Sequence, residues 1–178
     1  MRRDPDTGPA GLPGVDGPAP LVGPVGLPTG VPAPDFTLPS AVGPIVSLSA
    51  LLADGPVLLV FFPFAFSSVC TVELDEIRDT VDQFDGVQLV GISVDPKFTL
   101  RMFAQWRGYP IHLLSDFWPH GAVASAYQVF DERGGMSVRG TFLIDRTGVI
   151  RFAEAAEPGA ARDQSRWRAA VAELLAAG

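Results

Sequence analysis

The stretch Val57-Leu58-Leu59-Val60-Phe61-Phe62-Pro63-Phe64-Ala65-Phe66-Ser67-Ser68-Val69-Cys70 decides the architecture of this chain. Its first six residues are continuously apolar, the pattern of a central strand covered on both faces. Pro63 ends that strand, because proline cannot donate to a sheet ladder. Ser67 and Ser68 then offer the side-chain oxygens that cap helix N-termini. From Val69 to Phe84 the pattern is helical: Leu74, Ile77, Val81 and Phe84 share one stripe, and Glu73, Glu76, Arg78 and Asp82 lie elsewhere. Asp85-Gly86 stops it. A buried strand thus feeds a turn and a helix, and a cysteine falls in the first helical turn.

Outward from this unit the pattern stays α/β. Ile45–Leu48 reads as a short strand before it, and Val87–Val94 as a strand after it. A helix between the strands at 57 and 87 implies a parallel crossover. Lys97–Trp106 follows Pro96 as a helix, and Asp116 and Pro119 introduce a short one at Gly121–Tyr127. Val138–Asp145, the turn Arg146-Thr147-Gly148 and Val149–Ala153 form an antiparallel pair. Asp163 heads a last helix that buries Trp167, Ala170, Val171, Leu174 and Leu175. The order ββαβααββα gives a mixed sheet with helices on both faces.

The composition changes near residue 34. Residues 1–34 hold 7 of the 19 glycines and 9 of the 17 prolines, with no aromatic residue. Such a segment buries too little apolar surface to offset the ordering of its backbone. Residues 1–29 are therefore expected to be a disordered Gly/Pro-rich extension, and residues 30–178 a single folded domain. Glycine recurs every third residue at Gly8, Gly11, Gly14 and Gly17 and again at Gly23 and Gly26, too short and broken a run for a collagen helix. Arg2 and Arg3 are not followed by an apolar core, so no secretory signal is expected.

Composition also excludes functions. The chain has 178 residues and a net charge of −7, with Lys97 its one lysine. That balance argues against a nucleic-acid partner. The longest purely apolar run, Val57–Phe62, is far short of a membrane span, which takes about 20 residues. A single cysteine excludes an internal disulfide, a CxxC pair and a cysteine-rich zinc site. Gly91-Ile92-Ser93-Val94-Asp95 is half of a G-x-S-x-G elbow and reads as a strand end. No phosphate-binding glycine motif is present, and no cofactor is expected. Asp116 and His120, four residues apart, lack a third metal ligand and read as a helix cap and a surface histidine.

Cys70 remains. Unpaired N–H groups and the dipole at a helix start favour an anion, and the thiolate is the nucleophilic form of cysteine. Ser67 is near enough to set its hydroxyl beside the sulfur. On position alone, a small buried hydrophobe is an equal reading. Arg139 reads as a surface residue at a strand start, and Glu73 either touches the pocket rim or is solvated.

Pro63-x-x-x-Ser67-x-x-Cys70 resembles the active-site pattern P-x-x-x-T/S-x-x-C of the peroxiredoxins. The likeness extends to Ala33–Leu38, to Leu113–Asp116 with Ala126–Phe130, and to Arg139–Asp145, together about residues 30–177. The stretches FFPFAFSSVC, LLSDFWPHGAVASAYQVF and IRFAEAAEPGAARDQ are similar to the one-cysteine alkyl hydroperoxide reductase E group of actinobacteria.

The resemblance implies a thioredoxin-like fold and a thiol peroxidase acting on hydrogen peroxide and on alkyl or lipid hydroperoxides. It makes Cys70 the peroxidatic nucleophile, oxidised to sulfenic acid. Ser67 bonds the thiolate and the peroxide, Pro63 shields the sulfenic acid, and Arg139 stabilises the charge. The N–H groups of Val69 and Cys70 complete the donors. With no second cysteine, the resemblance implies an external thiol reductant, mycothiol with a mycoredoxin-like protein or a thioredoxin-like protein. It also implies a homodimer, for which Phe64, Phe66 and Trp118 are candidate contacts. An unpaired thiol suits the reducing cytoplasm. Two other readings stand beside this one. In the first, a cysteine hydrolase uses His112 or His120 as base. In the second, a thioredoxin-fold binding module carries a structural Cys70.

Overall fold

The computed structural model describes residues 26–156 and 161–177. In chain order the elements are β1 (Thr37–Pro39), β2 (Ile45–Ser47), α1 (Leu48–Asp54), β3 (Val57–Phe61) and α2 (Ser68–Asp79). A 3-10 turn over Val81–Phe84 then leads to β4 (Gln88–Ser93), α3 (Lys97–Arg107), β5 (His112–Ser115) and α4 (Ala122–Ala126). Last come β6 (Phe130–Asp131), β7 (Met136–Ser137), β8 (Arg139–Ile144), β9 (Ile150–Ala156) and α5 (Gln164–Ala177).

The central sheet has five strands in the order β5-β4-β3-β8-β9. β3, β4 and β5 run parallel, and β8 and β9 are antiparallel, so the mixed sheet is as expected. β3 is buried throughout, and its side chains alternate between two cores. Val57, Leu59 and Phe61 join Leu48 and Leu51 of α1 and Ala124 of α4 on one face. Leu58, Val60 and Phe62 join Leu74, Ile77, Leu100, Phe103, Trp167 and Val171 on the other, covered by α2, α3 and α5. The uninterrupted apolar run is the direct consequence of having helices on both sides.

Several elements differ from the sequence reading. The short strand at 45 ends at Ser47, whose side chain accepts the Ala50 N–H and opens α1. That hydroxyl cap turns the following Leu-rich run into a helix that the strand reading missed. β5 and the β6–β7 hairpin are further additions; each is too short to show a period. The long helix expected to Phe84 stops at Asp79, and a 3-10 turn carries the chain on. Val81 is consequently exposed while Phe84 stays buried. Leu175, expected in the buried stripe of α5, faces outward.

Residues 26–29, placed in the extension by the sequence reading, pack with the folded domain. The N–H groups of Gly26 and Leu27 donate to the carbonyls of Gln128 and Tyr127 at 2.9 and 3.2 Å, and Leu27 packs on the core. Residues 26–29 therefore do not belong to a disordered extension. The rest of that extension, with the triplet glycines from Gly8 to Gly23, lies outside the described residues. Among the described residues no helix is long and apolar enough to cross a membrane.

Candidate active site

β3 delivers the chain to the carboxyl end of the sheet, and Pro63 is buried at that exit. The buried hydroxyl of Ser137 donates to the Phe62 carbonyl at 2.8 Å, fixing the strand end. A tight turn then leads into α2. Ser67 occupies the N-cap position, and its carbonyl accepts the first helical bond, from Thr71 N–H at 2.9 Å. The N–H groups of Ser68, Val69 and Cys70 precede that bond, so they have no intrahelical acceptor and face the turn.

Ser67 does not cap the helix with its side chain. Its hydroxyl donates to the Phe64 carbonyl at 3.0 Å. The resemblance implies a bond from this hydroxyl to the sulfur; the turn instead brings the Phe64 carbonyl into reach first. With its proton committed there, the oxygen keeps lone pairs with which to accept.

Cys70 is fully buried, 0% exposed, among Leu74, Phe62 and their neighbours. Arg139, the first residue of β8, approaches it. The register sets Thr141 opposite Val60, which brings the start of β8 alongside the end of β3. Arg139 is only 3% exposed; its Nη2 donates to Cys70 Sγ at 3.4 Å and its Nε to Glu73 Oε2 at 3.1 Å. It is not a surface arginine.

Glu73, one helical turn beyond Cys70, is 2% exposed and binds a second buried arginine. Arg162 donates from Nε and from its backbone N–H to Glu73 Oε1 at 3.0 and 2.9 Å, and from Nη2 to Oε2 at 3.1 Å. Its Nη1 donates to the carbonyls of Phe61 and Gly140 at 3.0 and 2.9 Å and to Thr141 Oγ1 at 3.1 Å. Gln164 adds a bond to the Glu73 carbonyl at 2.8 Å. Two guanidinium groups and one carboxylate thus share one buried cluster, with one positive charge left over. A buried charge without a partner costs several kcal/mol. A thiolate at Cys70 neutralises this one; a neutral thiol does not.

Arg162 and Gln164 lie in the stretch IRFAEAAEPGAARDQ that carries the resemblance, but the sequence points to no role for either, and it allows two readings of Glu73. A contact across 89 residues leaves no local pattern.

The remaining candidates lie apart. His112 starts the edge strand β5, two strands from β3, and is exposed. His120 Nε2 is bonded to the Gly135 carbonyl at 2.7 Å. Neither is a hydrogen-bond partner of Cys70, which removes the base that a cysteine hydrolase needs. Asp116 accepts the N–H groups of Val123 and Ala124 at 3.1 and 2.9 Å and caps α4. Burial pushes its carboxyl up, and those two N–H groups pull it partway back. Among the described residues no cluster of His, Cys, Asp or Glu forms a metal site.

A strand-turn-helix cysteine with a buried arginine beside it on the antiparallel neighbour strand is the arrangement that the sequence resemblance leads one to expect. Residues 29–153 match the model of the AhpC/TSA family, and the chain belongs to that family, the peroxiredoxins. It is 48% identical over 152 residues to alkyl hydroperoxide reductase E of Mycobacterium tuberculosis, covering 84% of this chain and 99% of that one. Among solved structures it is similar to peroxidoxin BcpB of M. tuberculosis. That match has TM-score 0.72 and 35% identity, over 83% of this chain and 96% of the other. It is also similar to the reduced 2-Cys peroxiredoxin of Plasmodium vivax, with TM-score 0.76 and 25% identity over 83% of this chain and 82% of that one.

Proposed function

We propose that Cys70 is the peroxidatic residue of a one-cysteine peroxidase that reduces hydrogen peroxide and alkyl or lipid hydroperoxides. The Cys70 thiolate attacks the terminal peroxide oxygen. An S–O bond forms and the O–O bond breaks; the sulfur becomes a sulfenic acid and the peroxide leaves as hydroxide or alkoxide, which takes up a proton. Arg139 stays beside the sulfur and stabilises the negative charge as it passes to the departing oxygen. Ser67 accepts the peroxide hydroxyl, and the N–H groups of Val69 and Cys70 donate to the peroxide oxygens. Pro63 limits a second peroxide's access to the sulfenic acid. The observation that carries this reading is the 3.4 Å contact of Arg139 with Cys70, inside a cluster one negative charge short of neutral.

Cys70 is the chain's one cysteine, so resolution falls to an outside thiol. One thiol condenses with the sulfenic acid, releasing water and leaving a mixed disulfide; a second thiol releases Cys70 and carries off the disulfide. Mycothiol with a mycoredoxin-like protein, or a thioredoxin-like protein, supplies these thiols in the cytoplasm. The likeness to alkyl hydroperoxide reductase E supports the choice of hydroperoxide substrates.

The protein acts as a homodimer. Phe64, Phe66, Phe117 and Trp118 are exposed on the loops after β3 and β5, and those parallel strands end on the same side of the sheet. Apolar loops clustered at one end of a fold mark an interface.

The complete burial of Cys70 favours one competing reading, a binding module with a structural cysteine. A peroxidase assay with external thiol separates the two. The wild type turns over while Cys70→Ser does not, with the folded structure retained; equal activity in both overturns the assignment.

A further inference from the structure

Cys70 is covered, so the turn over residues 63–67 governs how a peroxide meets the sulfur. Ser67 bonds Phe64 within that turn, but its backbone is also supported from outside. Phe66 sits at φ +63, a left-handed conformation that a non-glycine residue adopts only under outside constraint. Two constraints come from α3 and from the β4–α3 connection. The Phe66 ring packs on Phe103 and Trp106 of α3, with centroids 4.8 and 5.8 Å apart. The neighbouring Ala65 N–H donates to Asp95 Oδ2 at 2.8 Å.

Asp95 is itself held from three sides. The Ser93 hydroxyl donates to the same Oδ2 at 2.8 Å, and the Asp95 N–H donates to Ser93 Oγ at 3.3 Å. The Ser115 hydroxyl donates to the Asp95 carbonyl at 2.7 Å. Ser93 and Ser115 are both buried, at the ends of the paired strands β4 and β5. The carboxylate is therefore fixed to the sheet and reaches across to the turn before α2. In this light Gly91-Ile92-Ser93-Val94-Asp95 is a strand end with a task.

We propose that Asp95 is a positioning residue for the peroxide reaction. Its carboxylate pins Ala65 and so sets the turn that carries Pro63 and Ser67 against the sulfur. The inference rests on the peroxidase reading above. Asp95 does not touch the sulfur, so it acts on geometry alone. A peroxide must be oriented for attack along its O–O axis, whereas a small alkylating reagent needs only an exposed thiolate.

The test compares two reactions of Cys70 in wild type, Asp95→Ala and Asp95→Asn. Each reduced protein is mixed with hydrogen peroxide, and separately with iodoacetamide. Thermal unfolding of each variant is recorded alongside. Asp95→Ala is expected to lower the peroxide rate about tenfold or more while iodoacetamide reacts as fast as with wild type or faster. Asn keeps one acceptor for the Ala65 N–H and is expected to restore the peroxide rate to within about threefold of wild type. An Asp95→Ala peroxide rate within about twofold of wild type overturns the proposal. So does a parallel fall of both rates in Asp95→Ala, or an Asp95→Asn protein no better than Asp95→Ala. A wild type that reacts slowly with peroxide instead counts against the peroxidase reading, and the two failures are thereby told apart.

Discussion

Arg139 reaches Cys70 from a strand that begins 69 residues further along the chain, and it meets the sulfur at 3.4 Å with both side chains buried. The guanidinium spends its Nε on Glu73 and aims Nη2 at the sulfur, so one side chain ties the carboxylate and the cysteine together.

Replacing Arg139 by alanine leaves Glu73 paired with Arg162, a neutral pair. Stability should therefore fall modestly while chemistry suffers. The expected loss in the second-order rate with hydrogen peroxide is about a hundredfold, the scale of removing one preorganised donor. Arg139→Lys should recover little, because a lysine cannot bond Glu73 and the sulfur at once in this planar geometry. Stopped-flow rates of both variants check this; an unchanged rate in Arg139→Ala would leave the residue as scaffold.

Glu73 has the opposite profile. Its removal strands two buried guanidinium groups, and breaking such a cluster costs about 3–5 kcal/mol. At this chain length that corresponds to a fall of roughly 10 °C in the unfolding midpoint. Calorimetry of Glu73→Ala beside Arg139→Ala should rank the glutamate variant clearly lower; the reverse order contradicts the charge count.

The strand-turn-helix unit around Cys70 was legible because each step has a local cause: an apolar run, a proline stop, and a helical stripe at Leu74 and Ile77. Asp116 was legible as a cap for the same reason. Glu73, Arg162 and Asp95 were not, since each works through a partner that only the sheet order brings near. Arg139 became a candidate through family resemblance, not through its surroundings in the sequence. α1 was lost to one hydroxyl, Ser47, whose bond to the Ala50 N–H turns the chain from strand to helix. The packing of residues 26–29 was hidden because two backbone bonds and one leucine outweigh a composition rich in glycine and proline.

The turn between β8 and β9 should make stability fall in acid. Burial alone raises the Asp145 carboxyl, but bonds from Thr147, Val149 and Arg151 outweigh it and bring it down to about 2. A carboxyl depressed in the folded state adds stability above its unfolded value near 3.8 and loses it as pH falls through about 2. The contribution at neutral pH is on the order of 2 kcal/mol. Denaturant titrations of wild type and Asp145→Asn should differ by about that much at pH 7 and converge toward pH 2; a gap independent of pH contradicts the linkage.

Pairing is tested at Trp118, which is 79% exposed. Sedimentation velocity should give a dimer for the wild type and a monomer for Trp118→Arg at the same concentration. A monomeric wild type rules out the dimer.

Mixing fully reduced protein with equimolar hydrogen peroxide tests whether Cys70 is a peroxidatic thiolate. Tryptophan fluorescence follows the reaction in stopped flow, and thiols are counted afterwards. The expected result is the loss of one thiol per chain, orders of magnitude faster than free cysteine reacts. A rate equal to that of free cysteine contradicts the claim and leaves Cys70 as a buried residue of a peroxiredoxin fold that does not use it.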